Sequence, residues 1–171
     1  MKVVVLSLGA FISLALSVVV IGALLPKAHI ASRSAVFSAT PEQLYGLMDG
    51  SQTWRSNVRG YESLTARDGR RQWRETDPHG GTITYEAVER RPPRLLKTRI
   101  VSANLPYSGS WTLTLEPTAG GATRVRITEQ GEVSNPLFRF VSRFLIGQTR
   151  TIDVYLRDLG RATGESVRVG D

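Results

Sequence analysis

The chain has 171 residues, no cysteine, two histidines and a formal net charge of +7 from 22 basic and 15 acidic residues. The absence of cysteine excludes disulfides and thiol nucleophiles and fits either redox compartment. The positive balance does not indicate nucleic-acid binding, because no aromatic-interleaved basic motif or recognition-helix pattern is present. Only Lys2, Lys27 and Lys97 are lysine.

Residues 3–25 carry no charge. As a helix rising about 1.5 Å per residue they would reach roughly 35 Å, enough for a hydrocarbon core about 30 Å thick. A retained transmembrane anchor over 1–27 is therefore expected. It is preferred to a cleaved signal because Pro26 and Lys27 stand where small residues belong. Lys2 on one side and Lys27 with Arg33 on the other nearly balance, so the charge rule hardly decides orientation. A two-residue tail stays on the cytoplasmic side, which places the domain on the extracytoplasmic side of a single-pass membrane protein.

Residues 28–33 read as a linker and 35–37 as a brief strand. Thr40-Pro41-Glu42-Gln43 is a helix start, with a capping residue, proline at the first helical position and a capping-box glutamine. A second short helix carrying Trp54 is expected over 51–58. From residue 60 to 133 the period changes to two. Turn signals recur at Asp68-Gly69, Pro78-His79-Gly80-Gly81, Pro92-Pro93, Pro106-Tyr107 and Ala119-Gly120-Gly121. They separate six candidate strands near 60–67, 71–77, 82–90, 94–104, 109–117 and 122–133, the pattern of an antiparallel meander. Asn135-Pro136 opens a long amphipathic helix reaching about Thr163, with Val141, Phe144, Leu145, Gln148, Ile152, Tyr155 and Leu159 on one side. Arg139, Arg143, Arg150, Arg157 and Arg161 form an opposite stripe, a candidate surface for anionic lipid headgroups or an ordinary solvated face. Gly147 makes a bend plausible within that helix. Residues 34–165 thus form one domain, followed by a tail over 166–171.

This order of elements resembles the START-like superfamily, also called SRPBCC, in its polyketide cyclase/dehydrase branch. The matching stretches are Thr40-Pro41-Glu42-Gln43-Leu44-Tyr45, Trp54, Gly109-Ser110-Trp111-Thr112-Leu113 and Gly120-Gly121-Ala122-Thr123-Arg124-Val125. Thr53 precedes Trp54 where relatives often have proline. The resemblance implies an α+β helix-grip fold, in which a curved antiparallel sheet wraps the long C-terminal helix around a cavity, here preceded by a transmembrane helix. It implies an apolar or lipid-like ligand and supplies no shared catalytic set.

No metal-ligand constellation, nucleophile elbow or phosphate-cradling loop is legible. His29 and His79 have no nearby ligand partners, and no cofactor is implied. Strand alternation puts Trp73 with Glu75, Ile83 with Tyr85, and Val125, Ile127 with Glu129 on shared faces. A buried carboxylate needs a partner, a raised pKa or a wet cavity. Trp73, Glu75, Tyr85, Trp111, Glu129, Gln148 and Tyr155 are therefore the candidates for a ligand cavity. The competing reading pairs the glutamates with Arg74, Arg99 or Arg126 at a sheet edge. Three functions remain open: non-catalytic binding of an apolar small molecule, a cyclase or dehydratase using Glu75, Tyr85 or Glu129 as acid–base groups, and an interaction module with a filled cavity.

Overall fold

The computed structural model describes residues 2–103 and 107–171. The elements run α1 (Lys2–Leu24), β1 (Ala28–Phe37), α2 (Pro41–Asp49), β2 (Gly60–Arg67), β3 (Arg70–Thr76), β4 (Thr82–Arg91), β5 (Leu95–Ala103), β6 (Tyr107–Pro117), β7 (Thr123–Val133), α3 (Pro136–Val141) and α4 (Arg150–Ala162). The turn expected at Pro106-Tyr107 lies partly outside the described residues.

Seven strands form one antiparallel sheet in the order β1-β7-β6-β5-β4-β3-β2. β2 to β7 are the expected meander, each strand pairing antiparallel with the next. β1 closes the far edge by pairing along its whole length with β7, from Ala28 opposite Glu132 to Phe37 opposite Thr123. The residues expected as a linker, 28–33, are thus the first half of a ten-residue strand. Their local pattern is weak, and the unpaired edge of β7 supplies the reason to extend them.

The capping box forms as expected: Gln43 N–H donates to the Thr40 hydroxyl and Gln43 Oε1 accepts from Thr40 N–H. Leu44, Tyr45 and Met48 bury against the sheet. The short helix expected over 51–58 is instead a run of turns. The buried Gln52 amide donates to the carbonyl of Met48 at 2.6 Å, and Asp158 of α4 accepts from both Ser56 N (2.6 Å) and Ser56 Oγ (2.7 Å). These contacts define the loop without a helical ladder.

The C-terminal segment departs from a single long helix. After α3 comes a π turn (Ser142–Ile146), then Gly147 at φ 85 and ψ 141, then α4. The wide turn and the left-handed glycine break the 3.6-residue phase. Ile152, Tyr155, Leu156 and Leu159 of α4 are buried against the sheet. Phe144 and Leu145, expected on the same side, lie 57% and 71% exposed.

Among the described residues no helix is long and apolar enough to cross a membrane. This corrects the expected transmembrane helix and the single-pass, extracytoplasmic localisation drawn from it. What the structure shows is a helix seated at its C-terminal end on the domain. Gly22 lies against the Pro136 carbonyl with no room for a Cβ. Arg139 donates to the carbonyls of Ala23 (3.2 Å) and Leu25 (2.8 Å), answering acceptors that every helix end leaves free.

The arginine stripe is corrected as well. Arg139 is buried on α1, while Arg143, Arg150, Arg157 and Arg161 are exposed. Arg143 precedes the Gly147 break and the other three follow it, so the five share no single face. Arg161 is further engaged with Asp158.

Candidate functional site

The concave face of the sheet, α4 and the segment from α3 to Gln148 enclose a cavity of about 420 Å³. It falls within the roughly 300–1,000 Å³ of small-molecule sites. All seven candidates line it: Trp73, Glu75, Tyr85, Trp111, Glu129, Gln148 and Tyr155. Gln148 does so from the break after Gly147, not from a helix, where its Oε1 accepts from Arg143 at 3.3 Å. The third alternative, an interior filled by side chains, does not describe this open volume.

Two aromatic groups build the walls. Trp73 of β3 and Tyr85 of β4 are register partners and stack with centroids 5.5 Å apart and planes 21° apart. Tyr155 of α4 receives Trp54 edge-on at 5.1 Å and Trp111 at 5.5 Å. Such pairs add about 0.5–1.5 kcal/mol each beyond their burial. Burial pushes the Tyr155 phenol far above its ordinary pKa, with the nearby Arg55 charge opposing, so it stays protonated at neutral pH.

Glu75 is answered within the cavity wall. Arg55 Nη1 lies 2.8 Å from its Oε2, Trp73 Nε1 donates to its Oε1 at 3.0 Å, and the Arg55 guanidinium sits 5.1 Å from the Tyr155 ring centre. None of the arginines expected as partners is used. Arg74 pairs with Glu62, and Arg99 pairs with Glu86. Arg55 is a cavity-lining residue absent from the candidates expected above. It lies in the loop read as a helix, and only the fold brings it to a carboxylate twenty residues away.

Glu129 is different. It stands opposite Trp111 in the β6–β7 register, and its carboxylate faces His29, whose Nε2 is 3.8 Å from Oε1. Among the described residues its Oε2 has no hydrogen-bond partner, nor has Arg55 Nε. Burial pushes the Glu129 carboxyl above its usual range, and a hydrogen bond from Trp111 only partly offsets this. Burial likewise pushes the His29 imidazole below its ordinary value. His29 was read as isolated. It is placed by β1, where it pairs with Gly131, and its ring occupies the space a Cβ on Gly131 would fill. The signal available in advance was the Gly131 inside a strand, which often marks a close approach. Among the described residues no group of His, Asp and Glu could hold a metal ion.

A curved antiparallel sheet closed by C-terminal helices over a lined cavity defines a helix-grip, cavity-forming protein. The chain belongs to the polyketide cyclase/dehydrase and lipid transport family, whose profile matches residues 28–161. The match begins at the first residue of β1. No curated protein matches the chain. The fold is similar to that of the Zhui aromatase/cyclase from Streptomyces sp. R1128, with a TM-score of 0.65 and 12% identity over 80% of this chain and 94% of that one. It is similar to a START superfamily protein from Mycobacterium smegmatis, with a TM-score of 0.64 and 16% identity over 80% and 98%. It is also similar to norcoclaurine synthase from Thalictrum flavum, with a TM-score of 0.60 and 11% identity over 81% and 87%. At these identities the likeness establishes the fold alone.

Proposed function

We propose that this domain binds an apolar or lipid-like small molecule in the cavity without covalent chemistry. The observation that carries this reading is an open volume of about 420 Å³ walled by Trp73, Tyr85, Trp111 and Tyr155. Apolar surface left facing such a space is stabilised when a ligand removes it from water, at about 25 cal/mol per Å². The family description, which includes lipid transport, points the same way. The test is titration with the neutral dye prodan, followed by native mass spectrometry of gently purified protein for a co-purifying apolar molecule. Binding in the micromolar range, weakened by Trp111→Ala, is expected. Absence of binding by any apolar probe would overturn the reading.

One observation favours a second reading, an enzyme of the cyclase or dehydratase kind. A carboxylate with a raised pKa beside an imidazole is the pairing that acid–base chemistry uses. Turnover of a carbonyl substrate, lost in Glu129→Gln, would decide for it.

A further inference from the structure

The polar groups of the cavity are not evenly matched. Both arginines of its lining are already engaged, Arg55 with Glu75 at 2.8 Å and Arg99 with Glu86 at 2.9 Å. Among the described residues Arg55 Nε has no hydrogen-bond partner, and the charge of Arg55 is answered by Glu75. At the other end the lining includes His29, Glu129 and Glu132, and among the described residues neither glutamate has a basic partner within ion-pair distance other than His29, 3.8 Å from Glu129. That imidazole is held towards its neutral form by burial. Glu129 Oε2 is a buried acceptor without a donor among the described residues. Buried polar atoms are almost always satisfied, and one left open in a cavity is a place for a ligand atom.

We propose that Glu129 and His29 recognise the head group of the ligand, and that this head group donates hydrogen bonds and bears no negative charge: an ammonium or a hydroxyl on an apolar body. The inference rests on the cavity-binding reading above and names its ligand class. The apolar body lies along Trp111 and Tyr155, and the head reaches Glu129 Oε2. A carboxylate head would meet Glu129 and Glu132, while both described arginines of the lining are already paired with carboxylates. The groups facing Glu129 are His29 from β1 and Trp111 from β6, and Tyr155 of α4 packs on Trp111. Gly131 and Gly109, opposite one another in the register, allow this close approach: a Cβ on Gly131 would strike the His29 ring, and one on Gly109 the backbone of Gln130 and Gly131.

The test is competition against prodan by three matched ligands: naphthylethylamine, naphthylethanol and naphthylacetate. At about pH 8 the amine and the alcohol should displace the dye at concentrations about tenfold to hundredfold below the acid, the worth of one charge-assisted hydrogen bond. In Glu129→Gln, which keeps the shape of the side chain, the preference of amine over acid should fall to within about threefold. A measurement without any variant runs alongside. On lowering the pH towards about 5, Glu129, whose carboxyl burial holds above its usual range, moves towards its neutral form, which should erode the amine's advantage. Equal binding of all three ligands, or a ranking indifferent to both Glu129→Gln and pH, overturns the head-group inference while prodan binding leaves the cavity reading standing. Failure of prodan itself to bind overturns both.

Discussion

Replacing Arg55 with alanine isolates the energetics of the cavity wall. The Arg55 and Glu75 side chains are 9% and 8% exposed, so the pair is desolvated and little screened. Removing one partner from a buried ion pair costs about 3–5 kcal/mol, because the remaining charge is left uncompensated. Glu75 would keep its 3.0 Å hydrogen bond from Trp73 and its access to the cavity, which sets the expectation at the lower end, about 3 kcal/mol. Loss of the cation over the Tyr155 ring adds about 0.5–2 kcal/mol. Together these come to about 3.5–5 kcal/mol, and at about 2–4 °C per kcal/mol for a chain of this size Arg55→Ala should lower Tm by about 7–20 °C. The double variant Arg55→Met with Glu75→Gln should recover most of that, since it removes both charges and keeps the volume. Thermal melts and urea titrations at neutral pH, followed by circular dichroism, read the effect. A loss below about 1 kcal/mol for Arg55→Ala, or a double variant as damaged as the single one, would refute the reasoning.

Glu129→Gln should raise Tm at neutral pH. The folded pKa of Glu129 lies above its ordinary 4.5, so between those values the native state holds more protons than the unfolded state, and charging the group costs stability as pH rises. The advantage of the variant should therefore shrink as pH falls through that window, and a variant less stable than wild type at neutral pH would contradict the assignment. Gly131→Ala should displace the His29 ring and return its NMR titration towards 6.5; an unchanged titration would show that the glycine does not set the ring's position. Asp158→Ala removes the acceptor of Ser56 N and Oγ from a carboxylate 1% exposed, and should cost about 1–3 kcal/mol and speed hydrogen exchange at Ser56. Exchange at wild-type rates would show that other contacts hold the loop.

What the sequence by itself determined is what depends on near neighbours. Two-residue alternation put Trp73 with Glu75 and Ile127 with Glu129 on one face, and the meander kept them there. Thr40 and Gln43 defined the start of α2 because a capping box closes within four residues. The breaks at Asp68-Gly69 and Gly120-Gly121 came with positive-φ residues that few other types adopt. These features reached the cavity's aromatic and acidic lining before any coordinates. The partners of those residues were decided only by tertiary structure. Glu75 is answered by Arg55 from a loop and Glu129 is faced by His29 from a strand a hundred residues earlier, and such pairings follow from sheet order and loop path. The phase of the C-terminal segment was likewise set in three dimensions. A π turn and Gly147 turn Phe144 and Leu145 outward, whereas a helical projection assumes an unbroken 100° step. A linear pattern records which face a side chain shares with its near neighbours. It does not record what stands across the cavity, because that contact belongs to segments the chain brings together only on folding.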